Sequence, residues 1–250
     1  MEFRRDFPEA IKSAKSVVFF TGAGISAESG IPTFRGKDGI WNKLNPEELA
    51  NFSAFLRNPD LVWEWYKHRR DIVNSTSPNP GHLAIAEMGN YFDKVSVITQ
   101  NVDNLHKRAG SKNVYELHGN IERNYCVDCG KFDYSPEVNE SVKVPKCKYC
   151  GGLIRPDIVW FGEMLPQEVF SEAEQAARKS DLFFIIGTSA AVYPAAYIPL
   201  NAKAQGAYLV EINIEYTEIS HQVNYSLIGK SGEILPEILE EVKKLKMAHR

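Results

Sequence analysis

The chain has 250 residues, 44% of them hydrophobic and 24% charged, enough to bury a full α/β core in one large unit or in a large and a small one. Its 29 basic residues against 32 acidic give a net charge of −3 and a pI near 6.1, which argues against a general nucleic-acid or membrane-surface binder. No apolar run approaches the ~20 residues of a membrane span, the first fifteen residues lack an oily signal core, and the cysteines fall in two pairs, so a soluble cytoplasmic protein is expected, with nothing that demands more than a monomer.

Phe7–Ala14 reads as a short helix. Val17-Val18-Phe19-Phe20 follows, an apolar run without alternation, as in a parallel strand covered on both faces. It breaks at once into Thr21-Gly22-Ala23-Gly24-Ile25-Ser26-Ala27. Gly22, Gly24 and Ala27 keep the G-x-G-x-x-G/A spacing, in which bare backbone N–H groups beside a helix start cradle a diphosphate. Gly30 and Pro32 stop a long helix, so Phe34-Arg35-Gly36 forms a loop that can cover the ligand. Residues 37–45 are loop, and Pro46–Leu56 is a weak helix containing the small Ala50. Asn58-Pro59 is an N-cap with proline at the first helical position, opening a helix to about Asn74.

After the break at 75–81, helices and strands alternate. Helix 80–90 precedes strand Val95–Thr99, helix Asp103–Ala109 and strand Val114–Leu117. Extended Val159–Phe161 comes next, then helix Pro166–Lys179, strand Leu182–Ile186 and helix Pro194–Gln205. Strands Ala207–Ile212 and Tyr225–Ile228 and helix Gly232–Lys246 complete the chain. The alternation implies a Rossmann-like, doubly wound parallel sheet. Two stretches interrupt it, a helical one at 37–75 and a cysteine-rich one at 121–154. They are expected to form a small domain, leaving 1–36, 76–120 and 155–250 as the dinucleotide-binding domain.

Ligands of such sheets sit at the carboxyl ends of the strands. Short polar residues cluster there: Gln100-Asn101-Val102-Asp103, His118-Gly119-Asn120, Gly187-Thr188-Ser189 and Asn213-Ile214-Glu215. Singly each could be turn or cap chemistry. Together they put amides, acids, hydroxyls and one imidazole along one edge beside the glycine loop. His118 in that company is suited to removing a proton from a sugar hydroxyl. No second strand follows the glycine loop to supply the usual ribose-binding acid; Glu215 is the expected replacement, which weakens a dehydrogenase reading.

Cys126-Val-Asp-Cys129 and Cys147-Lys-Tyr-Cys150 are separated by 17 residues, the spacing of a four-thiolate zinc site. Four protein ligands leave no position for water, so the metal is structural. Gly130 and Gly151 let backbone amides turn toward the sulfurs. In helix 59–74, Arg69 interrupts the apolar stripe Leu61, Val62, Trp65, Tyr66, Ile72 and Val73. A cation there is costly without an anion. Tyr66 and Arg69 project together and make a fork for a carboxylate, unless Arg69 snorkels or pairs with Glu48 or Glu163.

These motifs taken in order resemble the sirtuins: GAGIS at 22–26, GIPTFRG at 30–36, QNVD at 100–103, HGN at 118–120, the two cysteine pairs, GTS at 187–189 and NIE at 213–215. VWEWYKHRR at 62–70 and IVWFGE at 158–163 further resemble the desuccinylase/demalonylase branch, in which Tyr66 and Arg69 would grip an acidic acyl tail and Ala50 would open the pocket. The resemblance implies an NAD-dependent protein-lysine deacylase acting on acylated proteins or peptides, with one structural zinc. NAD would lie on Gly22, Ala23, Gly24, Ile25 and Ser26. Its adenosine end would reach Gly187, Thr188, Ser189, Asn213, Ile214, Glu215 and Ser231. Gln100, Asn101, Val102 and Asp103 would hold the nicotinamide side, under a cover containing Thr33, Phe34, Arg35 and Trp41. The acyl oxygen would attack the ribose as nicotinamide leaves, with Asn101 and His118 catalytic and His118 the base. The peptide would add as a strand between Val159, Phe161 and Gly162 on one side and Val192 on the other. Protein ADP-ribosylation and a non-catalytic NAD-sensing module are the alternatives.

Overall fold

In the computed structural model, residues 3–34, 40, 45–134 and 143–247 are described. The first helix, α1 (Asp6–Ser13), leads into strand β1 (Ser16–Thr21) and a single helical turn, α2 (Gly24–Ala27). The expected helix over 46–56 is two, α3 (Pro46–Leu49) and α4 (Phe52–Arg57). Asn51 breaks it: its backbone is extended and its side chain accepts from the Ser53 and Ala54 N–H groups, capping α4. Helix α5 (Pro59–Ser75) is capped by Asn58, as its sequence announces.

Next come α6 (Pro80–Met88), β2 (Lys94–Thr99), α7 (Leu105–Arg108), β3 (Val114–Glu116), β4 (Gly119–Cys126) and β5 (Ile154–Ile158). The chain ends with α8 (Gln167–Arg178), β6 (Leu182–Ile186), α9 (Tyr197–Ala204), β7 (Tyr208–Asn213), β8 (Tyr225–Ile228) and α10 (Ser231–Met247). Helix α7 is shorter than expected because Asn104 sits in the left-handed region at φ 61°, which keeps Asp103 outside the helix.

Six strands form one parallel sheet in the order β3-β2-β1-β6-β7-β8. The order reverses between β1 and β6, so the loops after these two strands diverge and open a crevice at the carboxyl edge. Alternation along the strands explains the unbroken apolar runs. Val17 and Phe19 of β1, with Leu182, Phe184 and Ile186 of β6, face α1, α6 and α10. Val18 and Phe20, with Phe183 and Ile185, face α8 and α9. Phe19 and Phe184 stack at 4.9 Å between ring centroids.

β4 and β5 pair antiparallel, apart from the main sheet. They and the helices α4 and α5 share a third core containing Phe55, Trp63, Tyr66, Val73, Cys126, Cys147, Ile154, Ile158 and Trp160. Trp63 Nε1 donates to the Ile154 carbonyl at 2.9 Å, and Arg70 reaches the Ile121 carbonyl at 2.7 Å and the Asn124 side chain. The helical and cysteine-rich stretches therefore bury one apolar surface between them.

The four cysteine sulfurs lie within 4.8 Å of one another, with Cys126 nearest Cys150 (3.4 Å) and Cys129 nearest Cys147 (3.6 Å). Disulfides need ~2.05 Å, whereas tetrahedral zinc–thiolate bonds of ~2.3 Å set sulfurs about 3.8 Å apart, so the group fits zinc. Gly130 and Gly151 adopt φ 68° and 77°. Just beyond the Cys147 side chain, the Tyr149 and Cys150 N–H groups point at its sulfur and lower that thiol to about 7. Cys126 and Cys147 are buried in the shared core.

Stripping zinc with a strong chelator should therefore open the shared core, since structural zinc supplies about 10 kcal/mol of folding free energy in small modules. Red-shifted tryptophan fluorescence from Trp63 and Trp160, together with release of one metal ion per chain, would record it. In the main sheet, Gly24→Ala should cost about 1–3 kcal/mol in denaturant unfolding. Its Cβ would come within 2.6 Å of the Gly187 Cα, a backbone atom that cannot swing away.

Candidate functional site

The crevice between β1 and β6 is closed at its floor by direct backbone contact. Gly22 N–H donates to the Ile186 carbonyl (3.0 Å) and Gly24 N–H to the Gly187 carbonyl (2.8 Å). A Cβ on Gly22 would meet Thr188 Cβ at 2.7 Å, and one on Gly187 would meet Ile25 N at 2.5 Å. This gives the glycines a reason that the spacing alone does not show. The glycines are needed because two strand-tip loops touch, and their N–H groups are spent on that contact. Of the backbone donors at 22–26, only Ala23 N–H lacks a partner among the described residues.

The polar strand ends converge on this floor. Gln100 Nε2 donates to Thr188 Oγ1 (3.0 Å), and Asn213 Nδ2 donates to the Thr188 carbonyl (3.2 Å). Asn101 Nδ2 donates to the Gly22 carbonyl (3.0 Å) and to Ser26 Oγ (3.1 Å). Ser26 Oγ in turn donates to Asp103 Oδ2 at 2.7 Å, while the Leu105 N–H donates to Asp103 Oδ1 at 3.0 Å. Burial pushes the Asp103 carboxyl up, against the Leu105 N–H, the Ser26 hydroxyl and the positive charge of Arg69, which pull it down. Ile25 and Ser26 are buried, and the Val102 carbonyl accepts the Ile121 N–H (2.9 Å), tying this loop to the small unit.

His118, half-buried after β3, has Nδ1 2.9 Å from the Gln100 carbonyl. A carbonyl only accepts, so Nδ1 carries the proton and Nε2 is the unprotonated ring nitrogen. The imidazole is thus one residue-to-residue bond from the loop that also holds Asn101 and Asp103.

The remaining expected residues divide. Ser231 is drawn in from α10: Glu28 Oε1 accepts its hydroxyl (3.2 Å) and the Gly232 N–H (2.8 Å), capping that helix with a carboxylate. Ser189, Ile214 and Glu215 are exposed at the far end of the crevice. Thr33 and Phe34 are half-buried above the small unit, whereas Arg35 and Trp41 lie outside the described residues. Val159, Phe161 and Gly162 follow β5, with Phe161 in a turn rather than extended and Gly162 at φ 86°. The Val159 and Phe161 N–H groups are taken by the His118 and Ala50 carbonyls (3.0 and 2.9 Å), and the Val192 carbonyl by the Ala196 N–H. An added strand would have the Val159 carbonyl and the Gly162 N–H to pair with.

Arg69 is 6% exposed and Tyr66 3%. Arg69 stacks on Phe34 (4.8 Å) and Trp65 (5.4 Å), and among the described residues it makes no hydrogen bond or ion pair. Burial lowers its pKa; Tyr66 and Asp103 oppose that. The expected partner Glu163 is instead bound to Arg155, and Glu48 is exposed. The Tyr66 hydroxyl accepts from Trp160 Nε1 at 2.8 Å, and burial raises its pKa.

Two histidines beneath the site escaped the sequence reading. His82 Nδ1 accepts the Asn79 N–H (3.4 Å) in a capping box, so Nε2–H faces Ser26 Oγ at 3.5 Å. His106 Nε2 lies 2.9 Å from Thr21 Oγ1, which donates to Thr99 Oγ1, the acceptor for Asn101 N–H. Asn79-Pro-Gly-His82, a cap followed by histidine at N3, was the available signal. Burial lowers His82 to about 4 and His106 well below its usual range. Both rings therefore bind protons more readily unfolded. Stability should be full above about 6.5 and fall as pH drops toward about 4, by about 3 kcal/mol for His82 alone; thermal melts across that range check it.

A Sir2 family model matches residues 22–194. The NAD-dependent protein deacylase 2 of Pyrobaculum aerophilum is 52% identical over 236 residues, 94% of each chain. A solved Sir2 homologue–NAD complex superposes with a TM-score of 0.91 at 44% identity, covering 97% of this chain and 95% of that one. A Sir2–p53 peptide–NAD+ structure gives 0.86 at 35% identity, covering 96% and 98%. The ordered motifs, the sheet and its crevice, and identity along almost the whole length agree: the chain belongs to the Sir2 family.

Proposed function

We propose that the chain is an NAD-dependent protein-lysine deacylase, releasing free lysine, nicotinamide and O-acyl-ADP-ribose. The observation that carries this reading is the His118 Nδ1–Gln100 carbonyl bond, which makes Nε2 the unprotonated nitrogen of an imidazole beside the polar strand ends. Bound NAD supplies a ribose carbon made electrophilic by its nicotinamide leaving group. Ala23 N–H and the Ser26–Asn101–Asp103 network hold the phosphate and ribose side, and Gln100, Thr188 and Asn213 line the way to the adenosine end. Thr33 and Phe34 cover the nicotinamide side and keep bulk water off the ribose carbon while nicotinamide leaves. Nε2 of His118 takes the proton from a ribose hydroxyl so that its oxygen bonds to the acyl carbon, and one water molecule, consumed in the reaction, supplies the oxygen and protons with which the acyl C–N bond breaks and the lysine amine leaves.

The 1–36, 76–120 and 155–250 segments supply the nucleotide domain, and 37–75 with 121–154 the small one, except that the β4–β5 pair and Trp160 pack in the core of the small one; the acyl-lysine lies between them. A peptide pairs with Val159–Gly162 and with the Val192 segment. Main-chain pairing of this kind tolerates many sequences, so targets are broad. The acyl group enters beside Ala50, Tyr66 and Arg69. A desolvated guanidinium without an ion-pair partner among the described residues favours succinyl and malonyl tails over acetyl. The four reduced thiols of the metal site suit a reducing cytoplasm, and one chain supplies every residue invoked, so a monomer suffices.

His118→Ala should lower kcat roughly 10²–10⁴-fold, with nicotinamide and free lysine followed together by chromatography. A labelled protein adduct in place of free lysine would indicate ADP-ribosyl transfer. Arg69→Met should cut kcat/KM on succinyl-lysine peptide roughly a hundredfold while leaving acetyl-lysine within a few-fold. Equal losses on both would remove the carboxylate fork.

A further inference from the structure

Arg155, on β5, is 2% exposed and is the most deeply buried cation described that has an acid partner. Nη1 donates to Glu163 Oε1 at 2.5 Å, and Nη2 donates to Glu163 Oε2 at 2.9 Å. Nη2 also donates to the Ile158 carbonyl at 2.8 Å. The guanidinium lies 3.5 Å from the Trp160 ring centroid. Glu163 Oε2 accepts the Trp160 N–H at 2.8 Å. One cation therefore holds the segment 158–163 at its start, its middle and its end. Trp160 is turned inward by this grip, and Nε1 reaches the Tyr66 hydroxyl on α5. Val159, whose N–H donates to the His118 carbonyl, is half-buried, and Phe161 is 46% exposed.

Stability alone is a weak reason for such a pair. Buried ion pairs often contribute little net stability against apolar replacements, and here Arg155 Nε stays buried without a partner among the described residues. What the bidentate geometry does specify is the path of a short irregular segment carrying the Val159 carbonyl and Gly162 N–H. We infer that Arg155 and Glu163 are positioning residues for the substrate peptide. They shape the wall on which its main chain pairs, and through Trp160 they aim the Tyr66 side of the acyl pocket, without touching the substrate. The inference rests on the deacylase reading above, in which Val159–Gly162 is the peptide wall.

The test compares wild type and Glu163→Gln, near-isosteric but uncharged, by steady-state kinetics with an acyl-lysine peptide and NAD varied in turn. Zinc content and thermal midpoint are measured on the same samples. The expected result is a peptide KM raised roughly ten- to a hundredfold with NAD KM within about twofold and zinc retained. Where the single variant does not fold, Arg155→Met/Glu163→Gln leaves no lone buried charge and carries the same expectation. Peptide and NAD KM both unchanged, or both raised by the same factor, would overturn the positioning role and leave the deacylase reading intact. A wild-type chain that binds NAD but no acyl-lysine peptide would overturn that reading itself, and the positioning role with it.

Discussion

The structure depends on one close approach. The loops leaving β1 and β6 touch main chain to main chain, Gly24 against Gly187, with no room for a Cβ on either side. This contact sits where the strand order reverses, so it forms the floor of the crevice. Everything polar is hung from it. Asn101 reaches the Gly22 carbonyl, Gln100 and Asn213 reach Thr188, and Ser26 links the glycine loop to Asp103. Loosen the contact and these side chains lose a common reference.

A second tie joins the two units of the fold. The helical and cysteine-rich stretches have too few apolar residues to be stable apart, and they bury Trp63, Phe55, Tyr66, Cys126 and Ile154 together. Metal binding and helix packing are then one event. The same core carries Trp160, whose neighbour Phe161 donates its N–H to the Ala50 carbonyl, so the integrity of the metal site bears on the path of the segment after β5.

Much of this was legible in the chain. Apolar runs of four or five residues, each closed by amides and hydroxyls, announce parallel strands and their functional edge, and paired C-x-x-C spacing announces the metal. Local caps such as Asn58-Pro59 were equally plain. What was not legible depended on distant partners. The spacing of Gly22 and Gly24 could be read, but its cause could not, because Gly187 lies far along the chain. The burial of Arg69 was foreseen and its surroundings were not: its company is the rings of Phe34 and Trp65, and Glu163 belongs to Arg155. His82 carried only the local cap signal of Asn79-Pro-Gly-His82, and His106 none, because a histidine on a helix bears no mark of the distant threonine or serine that it will meet. The split of the 46–56 helix turned on Asn51, whose side chain competes for the backbone it sits in.

Nδ1 of the His118 imidazole is held by a carbonyl of the main chain. Every amino acid brings that same oxygen, so replacing Gln100 by another residue leaves the tautomer-setting acceptor in place. Enzymes that orient a histidine with an aspartate can lose the arrangement to a single codon change. Here the arrangement is written into the path of the backbone, and it passes intact through any drift of the side chain at that position.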